Sequence, residues 1–328
     1  MFLILVQLVF GGFLLVVGGE FVVRGASHLA LAAKLSPLFV GLTVVSFGTS
    51  APELAVSVLT ALEGQADITV GNVIGSNLFN LLVIVGVAAM VVPLEVRRQV
   101  VRFDLPVMIL AAVLMYVLSI DTVISLIDGV VLIAVLMAYF AISFRLGRLQ
   151  FKSDAAAAGP DIDLVVPPLG SPWRSVLINT VILIAGIGLL IFGCQVFVDA
   201  SVSIAQRLGM SEALIGLTIV SIGTSLPELV TSVMASLKGQ RSIAIGNAVG
   251  STTLNVLAVL GITSIVASTG ITVAEKLFQS DLPLMIACCV LVWPIFATGR
   301  VVSRAEGTVL VVVYTVYLVF LVRSAAGG

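Results

Sequence analysis

The sequence predicts an all-α integral membrane protein of ten transmembrane helices, arranged as two inverted five-helix repeats with broken helices where the repeats meet. Composition, the spacing of apolar runs and an internal duplication carry this prediction. Of the 328 residues, 60% are hydrophobic and 10% charged, and mean hydropathy is +1.25. A soluble domain carries about 25% charged residues, so this chain is built for lipid. Residues 36–86 align with 211–261 at a constant offset of 175, without a gap, and are identical at 25 of 51 positions.

Apolar runs able to cross about 30 Å of hydrocarbon fall near 2–23, 38–62, 68–92, 104–120, 123–144, 175–197, 213–237, 243–267, 282–298 and 307–322. The first lacks the basic start and clear small-residue cleavage site of a secretory signal. It has a faint counterpart in the second half, where Gly18 to Ala30 echoes Gly193 to Ala205, so it is expected to be part of the fold. The second and third spans carry the duplicated block, and the fourth opens on Asp104-Leu105-Pro106, repeated as Asp281-Leu282-Pro283 at the ninth. After the fifth span, residues 146–172 hold Lys152, Asp154, an alanine run, Pro160, Pro167 and Pro168. This stretch reads as a cytoplasmic linker between repeats at 1–145 and 173–328. Five spans per half is an odd number, so equivalent segments enter the membrane from opposite sides, the pattern of secondary transporters.

Charge sets the orientation. Of 16 Lys and Arg residues, 13 fall nearest loops on one side and 3 on the other. The positive-inside rule puts the first side in the cytoplasm and both termini outside, as expected for a multi-pass protein of the cell's inner membrane. A net charge of −1 gives no support for a nucleic-acid partner, and no motif calls for an obligatory protein partner. Cys194, Cys288 and Cys289 lie in apolar spans and form neither a disulfide framework nor a zinc pattern. Walker A, zincin and serine-hydrolase motifs are absent from the sequence, which leaves an enzyme, or a pump driven by ATP, without support.

The closest matches between the halves are polar. Ser46-Phe47-Gly48-Thr49-Ser50-Ala51-Pro52-Glu53 is echoed by Ser221-Ile222-Gly223-Thr224-Ser225-Leu226-Pro227-Glu228, each in the middle of a span. A carboxylate at such depth is costly and marks function by default. Thr49 and Glu53, four apart, share a helix face, with Ser50 one step round. Pro52 has no N–H for the carbonyl of Gly48, and Pro227 none for Gly223, so both helices should break and turn carbonyls near Ser46 to Gly48 and Ser221 to Gly223 toward a cavity. The next span of each half adds Gly71-Asn72-Val73-Ile74-Gly75-Ser76-Asn77-Leu78-Phe79-Asn80 and Gly246-Asn247-Ala248-Val249-Gly250-Ser251-Thr252-Thr253-Leu254-Asn255. Ser76 and Asn80 lie one turn apart, as do Ser251 and Asn255. The glycines let helices approach closely. Two carboxylates with hydroxyl, amide and carbonyl oxygens are hard ligands, suited to Ca²⁺ and Na⁺.

At these residues the chain resembles the cation/calcium exchanger superfamily in its Na⁺/Ca²⁺ branch, through paired GTSxPE and GNxxGS motifs. The resemblance implies an antiporter working by alternating access, with Ca²⁺ and Na⁺ as transported ions and no cofactor. It implies Ca²⁺ ligation by Thr49, Glu53, Thr224 and Glu228. It also implies an outer Na⁺ site at Ser225, Glu228, Ser251 and the Ser221 carbonyl, an inner one at Ser50, Glu53, Ser76 and the Ser46 carbonyl, and a middle position framed by Asn80 and Asn255. Three Na⁺ would exchange for each Ca²⁺, with the first and sixth spans sliding against the rest. Members often carry Asp where this chain has Asn255, which leaves the part played by protons open. Related Ca²⁺/H⁺ exchangers typically carry an acid near Ser76 and Ser251. A Ca²⁺/H⁺ antiporter on the same fold is the alternative, and a cation channel a more distant one.

Four further residues receive bland readings. His28 lacks an evident partner at membrane depth, Glu20 aligns with Gln195 and reads as interfacial or structural, and Asp104 and Asp281 are expected to complement helix N-termini.

Overall fold

The computed structural model describes residues 2–158, 172–209, 221–267 and 270–326. In chain order its helices are α1 (Phe2–Ala32), α2 (Pro37–Thr49), α3 (Ala51–Leu62), α4 (Ala66–Val91), α5 (Val100–Leu118) and α6 (Leu126–Ala158). They continue with α7 (Pro172–Arg207), α8 (Ser221–Thr224), α9 (Leu226–Leu237), α10 (Arg241–Val266), α11 (Leu277–Ala297) and α12 (Arg304–Ala326). Eight of these are long and apolar enough to cross a membrane, and the bent pair α2–α3 makes nine. The expected span 213–237 is described only from Ser221 onward, as α8 and α9; its first residues lie outside the described residues.

Helices outrun the expected spans because charge ends the lipid-soluble part of a helix, not the helix itself. α1 continues past Arg24 to Ala32, and α6 runs through Arg145, Arg148 and Lys152 to Ala158, well into the stretch expected as a linker. Arg, Lys and Ala are all good helix formers.

The two most enclosed helices are α4 and α10, with 78% and 83% of their apolar windows buried, against 22% for α1 and 11% for α12. They carry the GNxxGS motifs and form the centre. α1 and α7 cross the outside of this core as an antiparallel pair. The backbone of Gly11 lies against Gly193 and Phe197, Gly18 against Gly186 and Leu190, and Gly25 against Leu183. A Cβ on Gly11, Gly18, Gly186 or Gly193 would meet backbone at 2.7 to 3.0 Å, so only glycine permits the contact. Gly11 and Gly18 are 175 positions before Gly186 and Gly193, so the contact is self-complementary across the duplication.

Two short antiparallel ladders tie the loops at either end. β1 (Leu94–Glu95) pairs with β4 (Val301–Val302), and β2 (Val123–Ile124) with β3 (Ile271–Thr272). Between β1 and β2 lies the 19-residue α5, about 28 Å long at 1.5 Å per residue, so the ladders sit at opposite ends. Arg97, Arg98 and Arg300 flank the first ladder, which marks the arginine-rich face.

Candidate cation-binding site

Both proline-bearing helices break, just after the stretches Ser46 to Gly48 and Ser221 to Gly223 where the sequence places the break. Ser50 (φ −80°, ψ 10°) separates α2 from α3, which bend by 45°, and Ser225 (φ −93°, ψ 7°) separates α8 from α9. Pro52 and Pro227 sit in the first turns of α3 and α9, where a missing N–H costs nothing. Glu53 and Glu228 follow in the same turns, near the positive ends of their helix dipoles. Each is only 1% exposed.

The two halves interlock at these acids. Ser50 Oγ donates to Glu228 Oε1 at 3.0 Å, and Ser225 Oγ donates to Glu53 Oε1 at 2.8 Å. Each glutamate is thus steered by the serine of the opposite half. The other oxygens, Glu53 Oε2 and Glu228 Oε2, are buried without a partner. No basic side chain bonds either carboxylate among the described residues. Two such acids at membrane depth need cations or protons beside them to remain buried.

Behind each glutamate stands an asparagine. Asn72 Nδ2 donates to Glu53 O (3.3 Å) and Ser57 Oγ (3.0 Å), and Asn247 Nδ2 donates to Glu228 O (3.2 Å) and Ser232 Oγ (3.0 Å). From these residues, steps of four lead along one face to Ser76 and Asn80 on α4 and to Ser251 and Asn255 on α10. All four are buried; the two hydroxyls and every side-chain polar atom of the two amides lack partners. Asn80 and Asn255 lie in π-helical turns, 79–84 and 255–260, of a kind found often at functional sites. Eight of the thirteen buried, unpartnered side-chain polar atoms among the described residues belong to six expected ligands: Glu53, Ser76, Asn80, Glu228, Ser251 and Asn255. Buried polar atoms are nearly always paired in a folded protein, so this concentration singles out one place in the fold, and six of the eight atoms are oxygens.

The remaining expected ligands are placed less simply. Thr49 is buried, and its Oγ1 donates to Ser46 O (3.3 Å) and Asn247 Oδ1 (3.1 Å). Thr224 is partly buried in the last position of α8. Ser46 faces α10 rather than open space: its Oγ donates to Gly41 O at 2.6 Å and lies 3.1 Å from Asn247 O. Its carbonyl already accepts the Ser50 N–H at 2.9 Å, so the carbonyl that Pro52 releases is that of Gly48 alone. Ser221 opens α8, and its side chain lies outside the described residues.

Sequence reasoning missed the supporting role of Asn72, Ser57, Asn247 and Ser232. Their recurrence at the 175-residue offset was the available signal. It also missed Cys194, whose Sγ donates to Gly223 O at 2.8 Å, the carbonyl that Pro227 leaves without an N–H. Asp104 is not a helix-capping acid. Helix α5 begins earlier, at Val100, and the buried carboxylate accepts from Tyr139 Oη (3.2 Å) and Gln99 Nε2 (3.3 Å). Asp281 lies likewise inside α11, which starts at Leu277. Glu20 is structural, paired with Lys238 at 2.7 Å, and His28 Nδ1–H donates to Arg24 O one turn back.

A broken-helix pair that interlocks two buried glutamates inside a helical membrane bundle defines a membrane cation transporter. The chain belongs to the sodium/calcium exchanger family: the family model described as sodium/calcium exchanger protein matches residues 3–145 and 178–323. It is 34% identical over 313 residues to the putative antiporter CaxA of Alkalimonas amylolytica, covering 95% of this chain and 96% of that one. It is 31% identical to the sodium/calcium exchanger MaX1 of Methanosarcina acetivorans, covering 96% and 97%. Among solved structures it is similar to the sodium-calcium exchanger NCX_Mj, with TM-score 0.81, 26% identity and coverage of 97% and 98%.

Proposed function

We propose that this protein is an antiporter exchanging Ca²⁺ against Na⁺ across the cell's inner membrane by alternating access. The observation that carries this reading is the set of unpartnered oxygens around the two interlocked glutamates. Two carboxylates balance one Ca²⁺, and neutral oxygens fill the remaining positions of a hard cation's shell. Shared ligands then couple the ions. Glu53 and Glu228 serve Ca²⁺ together with Thr49 and Thr224. The same acids serve Na⁺ with Ser50, Ser76, Ser225 and Ser251, and Asn80 and Asn255 frame the middle. Full occupancy by one ion therefore excludes the other. Membership in the sodium/calcium exchanger family supports the choice of ions.

The same reading takes the full chain as ten spans in two inverted repeats, 1–145 and 173–328, joined across 146–172, with both termini outside. The antiparallel α1–α7 contact and the ladders at opposite ends support it. A periplasmic reporter fused at Gly328 is expected to be active and one within 146–172 silent; the opposite pattern reverses the orientation. Function is tested by uptake of radiolabelled Ca²⁺ into proteoliposomes loaded with Na⁺, with K⁺, or carrying only a pH gradient. Uptake only from Na⁺-loaded vesicles is expected. Equal uptake under the pH gradient alone would replace Na⁺ by H⁺, and uptake without any opposing cation gradient would make the protein a channel.

A further inference from the structure

On the arginine-rich face, away from the glutamates, a cavity of about 540 Å³ opens between loops of both halves. Arg97, Arg98, Arg241 and Arg300 line it, with Glu95 as the acid in its wall. An adjoining hollow of about 610 Å³ shares Arg98 and Arg300 and adds Arg102. The positive-inside rule accounts for arginines on this face, but not for their convergence on one open hollow.

Local acids do not balance the cluster. Arg97 pairs with Asp154 at 2.8 Å and donates through Nε to Ser242 Oγ at 3.2 Å. Arg241 pairs with Glu95, yet its Nε is buried without a partner. Arg98, Arg102 and Arg300 form no ion pair among the described residues. The walls are also held in place. Glu95 and Val301 are opposed in the β1–β4 ladder, and Val96 N–H donates to Arg300 O at 2.8 Å, which fixes the arginine-bearing turns against each other. Helix α10 starts in the same wall, and Gln240 before it supplies no side-chain cap, so first-turn N–H groups add to the positive field.

Like charges held together in a concave wall repel unless an anion lies between them. Guanidinium forks match phosphate oxygens two at a time, and a cavity of this size admits a phosphate with its substituents. We propose that this cavity is an anion site for a phosphate-bearing ligand, gripped between Arg98 and Arg300 with Arg241 in the wall as a third cation. The phosphate can come from an anionic lipid headgroup of the adjacent leaflet or from a soluble polyphosphate.

The test uses the full-length protein, delipidated in detergent, and two probes. Inorganic pyrophosphate is titrated by calorimetry, and phosphatidylglycerol retention is read by native mass spectrometry after release from phosphatidylcholine nanodiscs containing it. The variant Arg98→Gln/Arg300→Asn removes both unpaired forks; both positions are exposed, and Asn tolerates the left-handed backbone of Arg300 (φ 53°). Arg241→Lys keeps a positive charge beside Glu95 but removes the guanidinium with its Nε–H. The parent is expected to bind at least one probe at least about tenfold more tightly than the double variant, with Arg241→Lys between them and melting temperatures unchanged. Pyrophosphate binding would assign a soluble source, and retention of phosphatidylglycerol alone a lipid source. Equal binding by parent and double variant, or binding of neither probe by the parent, would overturn the proposal.

Discussion

The two copies of the site hold their glutamates by the same bonds but are packed differently. Asn72 and Asn247 make matching pairs of hydrogen bonds, and Ser50 and Ser225 cross over in matching fashion. Around this shared frame the halves diverge. Gly246, Asn247 and Gly250 are fully buried, whereas Gly71, Asn72 and Gly75 are partly exposed. Helix α2 lies so close to α10 that a Cβ on Gly250 would stand 2.3 Å from Ser46 Oγ. The Ser50 N–H closes on Ser46 O, four residues back, while the Ser225 N–H closes on Ile222 O, three back. Cys194 caps Gly223 O, but its equivalent, position 19, is a glycine with no side chain to offer. The duplication thus preserves the hydrogen-bonded frame around the two glutamates and lets the packing of the GNxxGS helices differ. Equal frames with unequal packing are what the proposed alternating access requires, since a fully symmetric arrangement would open equally to both sides.

The largest expected effect tests the shared frame. Glu53→Gln and Glu228→Gln should each reduce Ca²⁺ exchange at least about a hundredfold, because leaving a buried charge without its partner costs roughly 3–5 kcal/mol. Glu63→Gln, exposed just beyond the end of α3, should exchange normally. A tenfold gap between the first two variants in sealed vesicles of equal protein content would break the equivalence of the halves.

Packing should separate the halves instead. Gly246→Ala forces a Cβ against Leu38 O at 2.8 Å and Leu42 N at 3.0 Å, whereas nothing lies within 4 Å of a Cβ at Gly71, its equivalent in the first half. Thermal unfolding in detergent should show Gly246→Ala destabilised by about 1–3 kcal/mol and Gly71→Ala close to the parent. Equal losses would mean that the packing is the same in both halves.

Asn247→Ala should cost more than Asn72→Ala. Both lose the bonds to the glutamate carbonyl and to a serine hydroxyl, but Asn247 is fully buried whereas Asn72 is partly exposed. Each lost buried bond is worth roughly 1 kcal/mol, so a lower melting temperature and weaker apparent Ca²⁺ affinity are expected for Asn247→Ala. The reverse order in both measurements would refute the stronger hold on Glu228.

The smallest effect concerns the middle position. An amide does not titrate, so Asn80 and Asn255 should contribute no pH dependence of their own. Asn255→Asp adds a buried carboxyl and should make exchange steeper with pH between about pH 5 and 7, as should Asn80→Asp. Superimposable pH profiles for parent and variants would place neither asparagine beside the transported ions.

Much of the site was legible before the fold was known, because the duplication repeats polar residues in a chain that is otherwise apolar. Both glutamates, both breaks and the faces carrying Ser76, Asn80, Ser251 and Asn255 follow from helical spacing and from the chemistry of proline, which are local properties. The partners were not legible. Ser50 meets Glu228, and Ser225 meets Glu53, across 178 and 172 residues of chain, and nothing local specifies which copy a serine faces. Asp104 looked like a helix cap until the helix was seen to start before it, so that the carboxylate turns to Tyr139 on another helix. The arginines spoke only of orientation until the β1–β4 ladder brought positions 95–98 and 300 into one wall. The sequence by itself determined which elements form and which face of each is polar, since both depend on residues within a turn or two. Only the tertiary structure decided which polar atoms remain unpaired, because that depends on every neighbour that packing brings within 3.5 Å.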